Sequence, residues 1–339
     1  MQVLNNKWRG KGLPEDVMAG APSPSVDADA PRGLLARCPE AGVTPLVDLG
    51  AFGGAGHVWV KDERRRMGLG SFKALGAAYV IAHAAQAGPL AGKTYVTASA
   101  GNHGMSVAAG ARAFGARAVI YLAETVPEGF AARLRAQGAE VVRAGTIYED
   151  SMNAAAMAAE NHGWTLLSDS SWPGYFDIPH RLMEGYLAMA AEAAEQMPQV
   201  PTHIFLQAGV GGLAGACAAY FRKVWGDAPQ IAVVEPEYAA ALRDSIVAGR
   251  AVAAPGPVSN MGRLDCKEPS LIALKGLARD ADSFITLTEA EAADAMQRLA
   301  EAGVATTPSG GAGLAALLAM APLGPDARVL CIVSEEPEA

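Results

Sequence analysis

From Lys93 onward the chain alternates short apolar runs with longer alanine-rich stretches of helical periodicity. The pattern predicts strands at 93–97, 117–122, 140–143, 164–167, 203–207, 230–235 and 328–333. Among the helices between them are 102–114, 127–137 and the alanine-rich stretch near 148–161. Pro127 suits the first turn of its helix, and Gly138 is a stop signal at the other end. Short strands alternating with helices form parallel sheets covered on both faces. Ligands then bind beyond the carboxyl ends of the strands. Two glycine-rich turns lie at such ends, 97–104 and 208–212. No internal repeat is visible.

The chemistry gathers around those turns. Lys73, in Gly70-Ser71-Phe72-Lys73-Ala74-Leu75-Gly76, falls in the first turn of a further predicted helix. Ser71 can cap that helix through its hydroxyl, and Phe72 can bury beside it. The positive end of a helix disfavours a charged amine, so a lowered pKa is expected for Lys73, as an imine-forming lysine requires. Position alone is a weak signal, because most lysines at helix starts are solvated. Ala208-Gly209-Val210-Gly211-Gly212 opens another helix, where backbone N–H groups and the helix dipole suit a phosphate. The turn lacks both the lysine-serine/threonine ending of a nucleotide P-loop and the dinucleotide fingerprint, so it suits one small phosphate.

Composition narrows the class. A chain of 339 residues, 51% of them hydrophobic, can build a large core of one or two lobes. A formal charge of −8 argues against nucleic acid and anionic membranes as partners. Cys38, Cys217, Cys266 and Cys331 show no metal-ligand spacing and read as reduced. With neither a signal-peptide core nor a long apolar span, a soluble cytoplasmic protein is expected. Residues 1–40, rich in Pro, Gly and Asp, are expected as an extended arm. Arg64, Arg65 and Arg66 read as a solvated cationic turn.

An imine-forming lysine, a serine/asparagine turn and a phosphate cradle, in that order, resemble the fold-type II pyridoxal-phosphate enzymes. This threonine dehydratase-like superfamily includes threonine dehydratases, serine racemases and diaminopropionate ammonia-lyases. The resemblance runs from about Gly42 to Ser334 and is nearest to the diaminopropionate ammonia-lyase branch. It is carried by Thr44-Pro45-Leu46, by Lys61-Asp62-Glu63 with Gly68-Leu69 and Phe72-Lys73, and by Gly101-Asn102-His103-Gly104. Asp169 to Tyr175, Ile178-Pro179 and Glu268-Pro269 complete it.

The resemblance implies an α/β, tryptophan synthase β-like fold of two lobes, each with a mainly parallel sheet covered by helices. Residues 41–85 and 196–339 would form the larger, cofactor-binding lobe, and 86–195 the smaller, substrate-side lobe. Pyridoxal 5′-phosphate would be held by Lys73 and Phe72, by Asn102 at its 3′ oxygen, by Gly209, Val210, Gly211 and Gly212 at its phosphate, and by Ser334 at its ring nitrogen. Pro337 departs from the glycine that the family has just after that serine. The turn Ser99, Ala100, Gly101, Asn102 and His103 would bind the substrate. Asn102 also reads as a helix cap, and the two roles can coexist. His103 reads as a structural member of the turn rather than a proton shuttle.

Where the ammonia-lyases carry an aspartate that serves D-configured substrate, and the racemases a serine that protonates the second face, this chain has Ala100. An L-specific enzyme follows. Asp169 would act with Lys73 in catalysis, on the β-leaving group. Arg263 and Asp265 stand where the branch has small apolar residues, which leaves room for a charged distal group on the substrate. The implied function is β-elimination of ammonia from an L-2,3-diaminopropionate-like amino acid. The alternatives are a dehydratase of threonine, serine or 3-hydroxyaspartate, and a non-catalytic pyridoxal-phosphate-binding protein. A homodimer is expected, without metal.

Overall fold

The computed structural model describes residues 1–338. The chain opens with β1 (Gln2–Asn5), α1 (Asp29–Leu35), β2 (Leu46–Phe52), β3 (Ala55–Asp62) and α2 (Lys73–Ala85). Next come β4 (Thr94–Ala98), α3 (Asn102–Ala113), β5 (Arg117–Leu122), α4 (Glu128–Ala136), β6 (Glu140–Arg143), α5 (Tyr148–His162), β7 (Thr165–Leu166) and α6 (Asp177–Gln196). The second half holds β8 (His203–Gln207), α7 (Gly212–Trp225), β9 (Gln230–Pro236), α8 (Ala241–Ala248) and α9 (Leu271–Asp280). It closes with β10 (Ser283–Leu287), α10 (Glu289–Glu301), α11 (Ala312–Ala319) and β11 (Gly324–Val333).

Two sheets result. The smaller, β6-β5-β4-β7, is parallel throughout. The larger has the order β1-β10-β9-β8-β11-β3-β2, parallel inside and antiparallel at both edges. The inner strands are apolar along their length because helices cover both faces; in β8, Ile204, Phe205, Leu206 and Gln207 are all buried. Residues 1–40 are seated on the body rather than free. β1 extends the large sheet beside β10, the Asn6 amide donates to the carbonyls of Ala278 and Ala281 at 2.9 and 2.7 Å, and Met18 is fully buried.

α2, which carries Lys73 at its first position, is fixed by close approach to α6. A Cβ on Gly185 would stand 2.6 Å from the Leu75 carbonyl oxygen, and one on Gly76 2.8 Å from Leu182 Cγ. Glycine at both positions lets the two backbones meet. Below this contact lies a buried ionic network. Lys61 Nζ reaches Glu192 Oε2 at 2.7 Å, the Thr44 carbonyl at 2.7 Å and Gln196 Oε1 at 2.9 Å. Arg66 donates to Glu63 at 2.7 Å and to Glu192 at 2.6 Å. Arg66 is therefore not part of a solvated turn: its side chain is fully buried, while Arg65 alone of the three arginines is exposed. Each extra charge brought inside is matched by an opposite one, which is what makes the burial tolerable.

Candidate active site

Lys73 enters the cleft from the start of α2. The Ser71 hydroxyl accepts the Lys73 backbone N–H at 3.3 Å, and the Phe72 N–H donates to the Ser334 carbonyl at 3.1 Å, tying the helix start to the end of β11. Lys73 Nζ forms an ion pair with Asp169 Oδ2, both side chains about one-fifth exposed. Asp169 follows β7 in a stiff segment. Tyr175 stacks on Trp172 with ring centroids 4.4 Å apart, its hydroxyl donates to the Leu166 carbonyl at 2.7 Å, and it accepts the Ser168 N–H at 3.1 Å. The Ser171 and Ser270 hydroxyls meet at 2.7 Å and stitch this segment to the start of α9. The electrostatics differ from the expectation for a lysine at a helix start. Burial pulls the Lys73 ammonium down, but the Asp169 carboxylate, with smaller help from Tyr186, raises it above its ordinary value. Burial likewise works against the Asp169 carboxylate, and Lys73, followed by His103, holds it well below the usual carboxylate range.

The second segment is the turn from β4 into α3. Ser99, Ala100 and Gly101 are half-buried there. Gly101 is the N-cap, so Asn102 is not the capping residue; its amide Nδ2 instead donates to Glu335 Oε2. His103 is buried, with Nε2 2.8 Å from the Leu167 carbonyl and Nδ1 without a partner. Burial lowers its pKa, and the nearby Lys73 charge adds to that against the pull of Asp169. A neutral imidazole whose Nε2 carries the hydrogen fits the short contact to a carbonyl.

The third segment is the turn from β8 into α7. Gly211 has φ +99°, a left-handed conformation that side chains resist. No side chain caps α7, and its first backbone hydrogen bond runs from the Gly215 N–H to the Gly211 carbonyl at 2.8 Å. The preceding N–H groups of the helix start are thus left for an outside acceptor. Space here is tight: a Cβ on Gly209 would lie 2.9 Å from Cys266 Sγ, and one on Gly211 3.0 Å from Ala273 Cβ. The Cys266 thiol, pushed up to about 11 mainly by burial and then by Asp169, borders both this cradle and the Lys73–Asp169 pair.

This arrangement matches what comparison with known proteins finds. Residues 38–335 match the family model described as pyridoxal-phosphate dependent enzyme. Diaminopropionate ammonia-lyase of Salmonella typhimurium is 34% identical over 292 residues, covering 77% of this chain and 72% of the relative. L-threonine ammonia-lyase of Thermotoga maritima is 29% identical over 266 residues, covering 78% and 63%. The crystal structure of Escherichia coli diaminopropionate ammonia lyase with an aminoacrylate–PLP azomethine reaction intermediate superimposes with a TM-score of 0.87 at 30% identity, over 99% of this chain and 93% of that one. The chain belongs to the pyridoxal-phosphate-dependent enzymes. Its architecture is fold-type II, and its cofactor is pyridoxal phosphate.

The residues present fit such a cofactor. An aldehyde-bearing phosphate needs an amine and an anion cradle in one cleft, and the structure supplies Lys73 and an uncapped, glycine-lined helix start. Ser334 is buried at the end of β11, its N–H donating to the Gly310 carbonyl at 3.1 Å. Helices bring distant turns to one place: the charges of Lys73 and Asp169 both act on His103 and on Cys266. The charged loop at 263–267 is largely spent on itself and its neighbours. Asp265 pairs with Lys267, while Arg263 Nε lies 2.9 Å from Glu335 and its Nη1 2.8 Å from Glu338. Sequence reasoning missed Glu335. The available signal was a second polar residue at the end of an apolar strand, where the chain is leaving the sheet. Among the described residues no cluster suited to a metal ion occurs, and no helix is long and apolar enough to cross a membrane.

Proposed function

We propose that this enzyme is an L-specific ammonia-lyase that eliminates the β-amino group of 2,3-diaminopropionate or a close analogue. The single observation that carries the reading is the Asp169 carboxylate, kept ionised at a largely buried position and paired with the Lys73 ammonium. With Lys73 engaged by the cofactor, its ammonium would no longer face Asp169. A β-ammonium on the substrate replaces it charge for charge. A β-hydroxyl does not, because an ionised carboxylate has no proton to give a departing hydroxide. The names of the similar ammonia-lyases support the same substrate class.

The family resemblance, together with where these residues stand, supports the following roles. The cofactor, when bound, supplies a conjugated ring that spreads the charge left at the α-carbon. Lys73 Nζ and Phe72 would hold it, the N–H groups of Gly209, Val210, Gly211 and Gly212 would receive its phosphate, and Asn102 and Ser334 would serve its 3′ oxygen and ring nitrogen. Lys73 Nζ, free as an amine while substrate is bound, would accept the α-proton. Ser99, with the backbone of Ala100, Gly101, Asn102 and His103 at the start of α3, holds the substrate carboxylate. Ala100 carries no group able to move a proton, which restricts turnover to one configuration. Asp169 Oδ2 orients the β-ammonium along its departure path. Hydrolysis then releases an oxo acid and the second ammonia.

Residues 86–195 serve as the substrate-side lobe, and 41–85 with 196–339 as the cofactor-binding lobe, in a cytoplasmic homodimer; a monomer by light scattering at micromolar concentration removes the dimer. The test of function is a coupled oxo-acid and ammonia assay over L- and D-diaminopropionate, L-threonine, L-serine and the 3-hydroxyaspartates. Two ammonia per oxo acid from the L-isomer is expected. One ammonia per oxo acid, from a hydroxy amino acid turned over faster, would make the enzyme a dehydratase. Comparable turnover of the D- and L-isomers refutes the argument from Ala100.

A further inference from the structure

One carboxylate in the cleft has no role in the scheme above. Glu335 follows Ser334 and is 4% exposed. Its backbone is pinned: Thr306 Oγ1 donates to the Glu335 carbonyl at 2.6 Å, and the next N–H, of Glu336, donates to the Gly70 carbonyl at 2.9 Å. Its carboxylate takes hydrogen bonds from two separate segments and an ion pair from a third. The Thr307 hydroxyl donates to Oε1, the Asn102 amide donates to Oε2, and Arg263 Nε stands 2.9 Å from Oε2. Burial raises the pKa of Glu335 above the ordinary glutamate value, and Arg263, Thr307, Lys73 and Asn102 pull back against that rise.

With the Thr307 hydroxyl turned to Oε1 and the Arg263 guanidinium beside Oε2, both oxygens of Glu335 are placed to accept. The amide of Asn102 must therefore turn its nitrogen, not its oxygen, toward Glu335. That contact uses one of the two hydrogens on Nδ2. The other has no acceptor among the described residues. The opposite flip would present the amide oxygen to whatever oxygen Asn102 faces.

We propose that Glu335 is the positioning residue of Asn102: its carboxylate locks the amide flip, so that the free N–H is offered to the 3′ oxygen of the cofactor. The proposal rests on the reading that Asn102 faces that oxygen. It also links the two sheets, since Asn102 begins the helix after β4 and Glu335 lies two residues beyond the end of β11.

The replacement Glu335→Met removes the acceptor and with it the lock, leaving the Asn102 amide free to take either flip. Glu335→Gln keeps it: Asn102 and Arg263 both face Oε2, so the glutamine oxygen there still accepts, and its NH2 group turns to the Thr307 hydroxyl. The test is titration of cofactor-free protein with pyridoxal phosphate, following the visible band and the dissociation constant. The proteins compared are wild type, Glu335→Met, Glu335→Gln, Glu335→Asp, Asn102→Ala and the Asn102→Ala/Glu335→Met double variant. Glu335→Met and Asn102→Ala are each expected to weaken binding about tenfold and to shift the band in the same direction. The double variant should be no worse than the Asn102→Ala single. Glu335→Gln should stay near wild type, and Glu335→Asp, which keeps the charge at a shorter reach, should fall between wild type and Met. Additive losses in the double variant, or a wild-type band in Glu335→Met beside a shifted one in Asn102→Ala, overturn the proposal. If the Met variant does not fold, wild-type values in Glu335→Asp do the same. A wild-type band in Asn102→Ala removes the premise and the proposal with it, whereas wild type failing to form the chromophore sinks the cofactor assignment instead.

Discussion

The Lys61–Glu63–Arg66–Glu192 network and the Lys73–Asp169 pair are built from the same residue types and lie at the two ends of one short stretch of chain. Lys61 donates to the Thr44 carbonyl and to Gln196 and is ion-paired with Glu192 at 2.7 Å, and its side chain is fully buried. Lys73 has one hydrogen-bond partner, Asp169, and stays one-fifth exposed. Their pKa shifts run the opposite way from simple expectation. Burial lowers the Lys61 pKa despite Glu192, while Asp169 raises that of Lys73 despite burial. A search for the lysine with the depressed pKa would select Lys61, the wrong one. Saturation separates the two better: a cluster whose every donor is satisfied holds the fold, and one with spare donors, an unpartnered His103 Nδ1 and an uncapped helix nearby is open to a ligand.

The comparison predicts opposite phenotypes. Lys73→Ala should cut turnover by about three orders of magnitude or more and abolish covalent capture of the cofactor. Borohydride reduction and peptide mapping check this, and a chromophore formed through another lysine contradicts it. Arg66→Met should instead act on folding. Removing one partner from a buried ionic network costs about 3–5 kcal/mol, read as a lower midpoint in denaturant, while the folded fraction keeps its affinity for cofactor. An Arg66 variant of normal stability with a damaged active site would reverse the assignment of the two clusters.

Glu235 offers a smaller, sharper test, because it is a buried carboxyl with hydrogen bonds but no ion pair among the described residues. It accepts the Leu242 and Arg243 N–H groups at 2.8 Å each, and burial nevertheless pushes its pKa up to about 8. A carboxyl that binds its proton more tightly when folded stabilises the protein less as pH rises. Its contribution is therefore present in full below the ordinary glutamate range and is lost progressively up to about pH 8. Melting temperature against pH should fall less steeply over that window in Glu235→Gln than in wild type. Parallel curves would mean that the two N–H groups keep Glu235 ionised throughout.

Much of the interior was legible in sequence. The strands expected at 117–122, 140–143 and 203–207 are β5, β6 and β8 without displacement, because an apolar run bounded by Gly, Pro or polar residues leaves little choice of end. The edges of the large sheet were not. β1 pairs residues 2–5 with 283–286, and no local pattern encodes a partner so far along the chain. β2 and β3 form an antiparallel edge with shifted registers around Gly50, which blurs any alternation. The site divides in the same way. Lys73, Asn102, Asp169 and the glycine cradle stand in local motifs. The raised Lys73 pKa was hidden, because it comes from a carboxylate 96 positions away. Glu335 was hidden for the same reason, its meaning lying in Asn102, Arg263 and Thr307, none of them neighbours in sequence.

The central claim is that Asp169 exchanges the Lys73 ammonium for a substrate ammonium. It is tested most directly by measuring kcat/KM for L-diaminopropionate and for L-serine in wild type and in Asp169→Asn, at matched cofactor occupancy. Wild type should prefer the diamine. In the variant that preference should collapse, with kcat for the diamine falling about a hundredfold and the serine rate changing little, because only the diamine's transition state contacts the carboxylate. Equal losses for both substrates, or an unchanged preference, would show that Asp169 serves the cofactor or Lys73 rather than the leaving group.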